Sequence, residues 1–263
     1  VLPLIDSGLE SGGLSSGFEL ALLPGLPDNR CFLLHQGGGS RGSTVVWLEV
    51  IDLADLIAFD DDDPYAVGDG ATAVLTADLN SDDYEEIVVV LGGSPGSLVI
   101  FNNDGAGGFA SQDVYALGND PAGLASGDFD GDGDIDLAAS NFTDNTVDIF
   151  RNDGTGMFVP DGTPLAVGAG PLGLGARDLD LDGLDDLLVC CSEEREIQTY
   201  LGLSLRGTRE AQKVDTDGKP SSIDPADYDK EKSGDVGATT TEPGMILTMS
   251  VNGSGELGEP QGH

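Results

Sequence analysis

The sequence predicts an all-β protein: a β-propeller of four-stranded antiparallel blades, with about five blades visible. Two observations carry this expectation. An acidic nine-residue motif recurs four times, opening at Asp78, Asp128, Asp178 and Asp227, so that successive copies stand 50, 50 and 49 residues apart. Such a period marks an array of one structural unit. Between the copies lie short apolar runs that alternate with polar residues, separated by glycine-rich turns, which is the pattern of strands joined by hairpins. Radial packing of small sheets buries both faces of each against its neighbours. A linear β-solenoid is the alternative, but its coils are shorter than these units and contain no hairpins.

The unit beginning near residue 116 shows the elements most clearly. AGLASGD (122–128) forms a short strand of small residues, and the acidic loop 128–136 follows. Leu137–Asn141 resumes as the second strand. The string TDN (143–145) turns the chain. TVDIFR (146–151) alternates apolar and polar residues as the third strand. NDGTG (152–156) contains the Asp-Gly pair favoured in tight hairpins. Met157–Leu165 returns as a fourth strand. A glycine-containing linker then opens the next unit, and Gly68, Gly118, Gly168 and Gly218 recur in register.

The other units follow this template. Second strands are expected at IVVVL (87–91), LLVCC (187–191) and VGATT (236–240), and third strands at SLVIF (97–101), EIQTY (196–200) and MILTMSV (245–251). Residues before 64 form a degenerate unit that keeps strands at RCFLL (30–34) and TVVWLEV (44–50) but lacks the acidic loop. The expected layout is one domain, 1–263, with blades at 1–63, 64–115, 116–165, 166–215 and 216–263.

The acidic motifs read DLNSDDYEE (78–86), DFDGDGDID (128–136), DLDLDGLDD (178–186) and DYDKEKSGD (227–235). Each places oxygen side chains at positions 1, 3, 5 and 9, and a backbone carbonyl at position 7 completes a set of hard donors. Calcium takes six to eight such oxygens. The expected ligands are Asp128, Asp130, Asp132, Asp134 and Asp136 in one loop, and Asp178, Asp180, Asp182, Leu184 and Asp186 in the next. Asp134 and Leu184 contribute carbonyls. Gly133 and Gly183 allow the sharp turn at position 6. The two outer loops are weaker: Asp78, Asn80, Asp82, Tyr84 and Glu86 include an amide, and Asp227, Asp229, Glu231, Ser233 and Asp235 sit beside Lys230 and Lys232. An EF-hand is excluded, because it needs a Glu at position 12 and flanking helices. Position 12 here is Val89, Ala139 or Val189, within a strand pattern.

These residues resemble the FG-GAP or VCBS-type repeat, the blade of integrin-alpha-like β-propellers. The resemblance rests on the D-x-D-x-D-G-x-x-D loop, the apolar strand after it, and the hairpin running from Val147 to Phe158. It covers roughly residues 64–257. It implies that calcium sits between the first two strands of a blade and stiffens it. Propellers of that family often have seven blades. The family is found in adhesion proteins, lectin-like modules and appendages of secreted enzymes, so membership does not name a ligand.

The formal charge of −37 points the same way. Such a surface repels nucleic acid and anionic membranes and suits a calcium-rich exterior. Four bound dications would reduce the charge to about −29. No stretch approaches the ~18 apolar residues of a membrane span. Cys31, Cys190 and Cys191 do not form a disulfide framework and read as small core residues.

Catalytic signatures are poor. GGSRG (38–42) and GGSPG (92–96) mimic the nucleophile elbow, but both fall in turns between strands. GAGPLG (168–173) mimics a dinucleotide fingerprint, yet it is the inter-blade linker. The run of acids at 60–63 reads as a solvated turn. Trp47, Tyr65, Tyr84, Tyr115 and Phe142 are aromatics that could stack on sugars or pack between blades. NFT (141–143) and NGS (252–254) match the glycan-acceptor pattern. The expectation is therefore a secreted or cell-surface, non-enzymatic, calcium-binding module for adhesion or protein interaction, with an unknown protein or glycan ligand. The alternatives are a lectin, the propeller portion of a secreted lyase or glycosidase, and a structural spacer.

Overall fold

The computed structural model describes strands within 19–52 and residues 67–106, 108–109, 111–202, 211–228 and 234–262. The chain divides into two compact units, Val1–Pro64 and Tyr65–His263. In the first, β1 (Glu19–Ala21), β2 (Arg30–Gly38) and β3 (Thr44–Asp52) form one antiparallel sheet in that order. No helix occurs among the described residues.

The second unit is a run of four antiparallel meanders. The first comprises β4 (Ala71–Ala77), β5 (Glu86–Leu91), β6 (Ser97–Asn102) and β7 (Ser111–Ala116). The second comprises β8 (Pro121–Gly127), β9 (Asp136–Asn141), β10 (Thr146–Asn152), β11 (Phe158–Pro160) and β12 (Leu165–Ala166). The third comprises β13 (Pro171–Arg177), β14 (Asp186–Cys191), β15 (Glu196–Tyr200) and β16 (Gln212–Asp215). The fourth comprises β17 (Pro220–Ala226), β18 (Asp235–Thr241), β19 (Gly244–Ser250) and β20 (Gln261–Gly262). These are propeller blades in an array that does not close on itself within the described residues.

Three apolar cores lie between consecutive blades. Val88, Val90, Leu98 and Ile100 of the first blade meet Leu137, Ala139 and Phe150 of the second. Ala138, Val147 and Ile149 face Leu187, Val189 and Cys191 of the third. Leu188, Cys190 and Ile197 face Val236, Ala238, Leu247 and Met249 of the fourth. Successive residues of β9 and β14 thus enter different cores, so both strands are buried at every position. The adjacent thiols Cys190 and Cys191 are free, fully buried and pushed up by that burial, Cys191 to about 12.

The first strands of neighbouring blades pack against one another, which explains their small residues. A Cβ at Gly123 would stand 2.0 Å from the Leu172 carbonyl oxygen.

One expected element differs. The fourth strand of the second blade is not continuous over Met157–Leu165 but breaks into β11 and β12, both paired to β10. Pro160 and Pro164 have no N–H to donate, and Gly162 turns the chain at φ +75°. Asp161 closes the break, its N–H donating to Ile149 O at 2.8 Å.

Candidate metal centre

Each acidic loop bridges the first and second strands of a blade and opens and closes on a strand-pairing step. Gly127 pairs with Asp136, and Arg177 pairs with Asp186. The carboxylate at position 9 therefore belongs to the sheet and is held rigidly. Its Oδ2 accepts the backbone N–H of position 2: Phe129 N to Asp136 at 3.2 Å and Leu179 N to Asp186 at 2.8 Å. The outer loops repeat the bond, Leu79 N to Glu86 Oε2 at 2.8 Å and Tyr228 N to Asp235 Oδ2 at 3.0 Å. In three loops the position 2 side chain (Leu79, Phe129, Leu179) is buried in an inter-blade core, while Tyr228 is exposed. The ligand-bearing turn is thus pinned by an apolar anchor next to its first acid.

The first acid shapes the turn. Asp128 accepts Gly131 N at 2.7 Å and Gly133 N at 3.0 Å. Asp178 accepts Asp182 N at 3.1 Å and Gly183 N at 3.0 Å. Asp78 does the same with Asp82 N and Asp83 N at 3.2 and 3.0 Å. Positions 4 and 6 take positive φ in all three: Ser81 and Asp83, Gly131 and Gly133, Leu181 and Gly183. The sequence pattern singled out position 6 alone, because Ser81 and Leu181 carry no glycine signal.

These turns bring three carboxylates together twice. One oxygen each from Asp128, Asp130 and Asp136 lie within 4.8 Å of one another, as do oxygens from Asp178, Asp180 and Asp186. Three converging hard oxygen donors fit a metal ion. Asp132 and Asp182 stand outside these triads and are exposed. Each accepts the N–H of position 7, Asp134 or Leu184, at 3.0 Å. Burial pushes Asp136 up to about 6, against the opposing N–H bond from Asn152 and with help from the charges of Asp130 and Asp132. Asp186 is likewise pushed up to about 6, chiefly by burial.

The outer loops are less complete. Asn80 turns its amide toward Glu86 Oε1 at 3.4 Å and accepts Asp82 N at 3.0 Å, and Tyr84 is exposed. Among the described residues no triad of carboxylates forms at Asp78. In the last loop Asp227 and Asp235 are described, while Asp229, Glu231 and Ser233 lie outside the described residues, as do the acids at 60–63 and Tyr65.

Two residues at these centres lie outside the acidic motif. Arg151 donates to Asp130 Oδ2 and reaches Asp161 Oδ1 at 3.1 Å, so a cation already faces one ligand of the 128–136 centre. Asn152 is buried. Its N–H donates to Asp136 Oδ1 at 2.8 Å, and its side-chain Nδ2 donates to Leu79 O at 2.7 Å and Ile135 O at 3.0 Å. It joins two neighbouring loops. Tyr115 packs edge-on to Phe150 and Phe158, with centroids 5.7 and 6.0 Å away, and so serves blade packing. Asn141 is fully buried, which removes it as a glycan acceptor in the folded protein.

The FG-GAP-like repeat model matches residues 78–139 and again 128–189, spans that contain three of the four loops. Residues 78–189 thus match this repeat twice, in overlapping spans. No curated protein sequence matches it. Solved structures share the fold of this blade array at low identity. A functionally unknown protein from Desulfotomaculum acetoxidans DSM 771 aligns with a TM-score of 0.55 and 16% identity, covering 89% of this chain and 64% of that one. BBS1N, crystallised in complex with ARL6DN, aligns with a TM-score of 0.51 and 16% identity, covering 72% of this chain and 55% of that one. The chain therefore spans less than two thirds of either. Among the described residues no helix is long and apolar enough to cross a membrane.

Proposed function

We propose that this chain is a non-catalytic, calcium-stabilised FG-GAP-like propeller, exported from the cell, that serves as a protein-interaction or adhesion module. The observation that carries the reading is the twofold convergence of carboxylates, Asp128 with Asp130 and Asp136, and Asp178 with Asp180 and Asp186. An all-oxygen set on a nine-residue turn suits calcium, which accepts irregular, high coordination, better than magnesium, which demands a near-ideal octahedron. The carbonyls of Asp134 and Leu184 are further donors of the same kind. A bound cation supplies charge neutralisation, and the residues hold the turn between two strands. The interaction role draws support from the fold, since BBS1N was crystallised with a partner protein. The ligand surface itself is proposed as a face of the array.

The test is a thermal melt followed by circular dichroism in millimolar calcium, in excess EGTA and in magnesium. A ligand that binds only the folded state stabilises by about 2.7 kcal/mol per site at a hundredfold excess over Kd. A calcium-specific rise in midpoint is expected. Equal midpoints in calcium and EGTA would sink the calcium reading.

A further inference from the structure

We propose that Asp185 couples the centres at 128–136 and 178–186, so that a cation bound at either raises the affinity of the other. This inference rests on the calcium reading above. Asp185 is the eighth residue of its loop and adjoins the ligand Asp186. Its Oδ2 accepts the backbone N–H of Asp128 at 2.9 Å, and its own N–H donates to Asp128 O at 2.9 Å. The backbone of a ligand in one centre is thus clamped on both sides by the neighbour of a ligand in the other.

The clamp belongs to this pair of loops. The eighth position elsewhere is Glu85, Ile135 or Gly234, and no such reciprocal pair joins the other loops among the described residues. Close approach depends on Gly127, where a Cβ would lie 2.8 Å from Asp185 Oδ2 and 3.0 Å from its Cβ. The same two loops meet again where Leu184 covers Gly131, a Cβ there falling 2.6 Å from Leu184 Cδ2.

Fixing Asp128 and Asp130 around a cation orders the backbone at 128. Two hydrogen bonds carry that order to Asp185, and the next residue, Asp186, completes the second triad. The second cation then meets a smaller ordering cost, which is positive coupling. Direct repulsion between two bound dications acts in the opposite direction, so the sign of the coupling discriminates. Asp185 is a positioning residue here, since its carboxylate lies outside both triads.

The experiment uses the full chain labelled with nitrogen-15 and titrated with calcium. The Gly133 and Gly183 amides, one in each loop, report the two centres separately. Asp180→Ala disables the second centre and Asp130→Ala the first. The expected result is an affinity at Gly133 about fivefold weaker in Asp180→Ala, and the same factor at Gly183 in Asp130→Ala, as reciprocity requires. In an Asp185→Ala background, which removes the carboxylate bond and leaves the main-chain one, both effects fall below about twofold. Asp185→Asn keeps an oxygen acceptor for the Asp128 N–H and retains the coupling, which a pure charge effect would not. If Asp185→Ala does not fold, the two single-centre variants and Asp185→Asn still measure it. Affinities that ignore the other centre, or that tighten when it is disabled, would overturn the inference while leaving the calcium reading intact. If neither amide responds to calcium, the calcium reading fails and the coupling with it.

Discussion

Arg151 marks the main difference between the two candidate metal centres, and exchanging it predicts opposite effects with and without calcium. Its guanidinium contacts Asp130 and Asp161, with side chains only 29%, 16% and 23% exposed. In register with it, in the next blade, stands Leu201. Arg151→Leu therefore gives the 128–136 centre the residue its neighbour already has. A dication about 5 Å from a guanidinium is repelled by about 1.7 kcal/mol even with the full screening of water. Removing the charge should tighten calcium binding at this centre about tenfold. In EGTA the same change removes an ion pair that is partly exposed and contributes about 0.5–1 kcal/mol, so the metal-free melting point should fall by about 2 °C. Calorimetric titration measures the first effect and circular dichroism the second. Calcium binding that is unchanged or weaker in Arg151→Leu would refute the argument that Asp130 faces the cation.

Other expectations follow from the same coordinates. Gly123→Ala places a methyl 2.0 Å from the Leu172 carbonyl between two inner strands, and should cost about 3 kcal/mol in urea unfolding. Asn152→Ala leaves Leu79 O and Ile135 O without their 2.7 and 3.0 Å donors, and should cost about 2 kcal/mol by the same assay. The pH dependence has a definite sign. Asp136 and Asp186, held near 6 in the folded chain, bind more protons there than in the unfolded chain between about pH 4 and 6. In EGTA, stability should therefore fall as pH rises through that window, by about 1 kcal/mol per carboxyl between pH 5 and 7. In calcium the trend should reverse, because protons compete for the same oxygens; melts at pH 5 and 7 with and without calcium check both.

The strand plan could be read from the sequence because it follows from local chemistry repeated on a fixed period. TVDIFR alternates as a third strand, EIQTY and SLVIF recur in register with it, and they occupy β10, β15 and β6. The hairpin after β10 was also legible, since Asn152 Oδ1 accepts Gly154 N and Gly156 N at 3.1 and 3.2 Å. The break between β11 and β12 was not, although Pro160 and Pro164 were visible. Val159 is 64% exposed, so this outer edge carries little core burial, and local proline and glycine geometry prevailed over the alternating pattern.

The candidate site divides along a similar line. Positions 1, 3 and 9 stood out because their spacing repeats, and their carboxylates converge in both triads. Position 5 read as an equal ligand; Asp132 and Asp182 stand outside the triads, and one oxygen of each accepts the N–H of position 7. Spacing alone does not say which of the four carboxylates of a loop converge. What was hidden are contacts made to the 128–136 loop from elsewhere in the chain: by Arg151 of β10, by Asn152 at the start of the hairpin, and by Asp185 of the next blade. Those contacts depend on how neighbouring blades and hairpins sit against the loop. A nine-residue motif therefore marks where carboxylates converge, whereas the proposed affinity and coupling depend on Arg151 and Asn152 outside it and on Asp185, a motif position that the ligand spacing does not mark. Arg151→Leu and Asp185→Ala are expected to change calcium binding without touching a ligand, and that is the behaviour which would separate an array of connected centres from a string of independent turns.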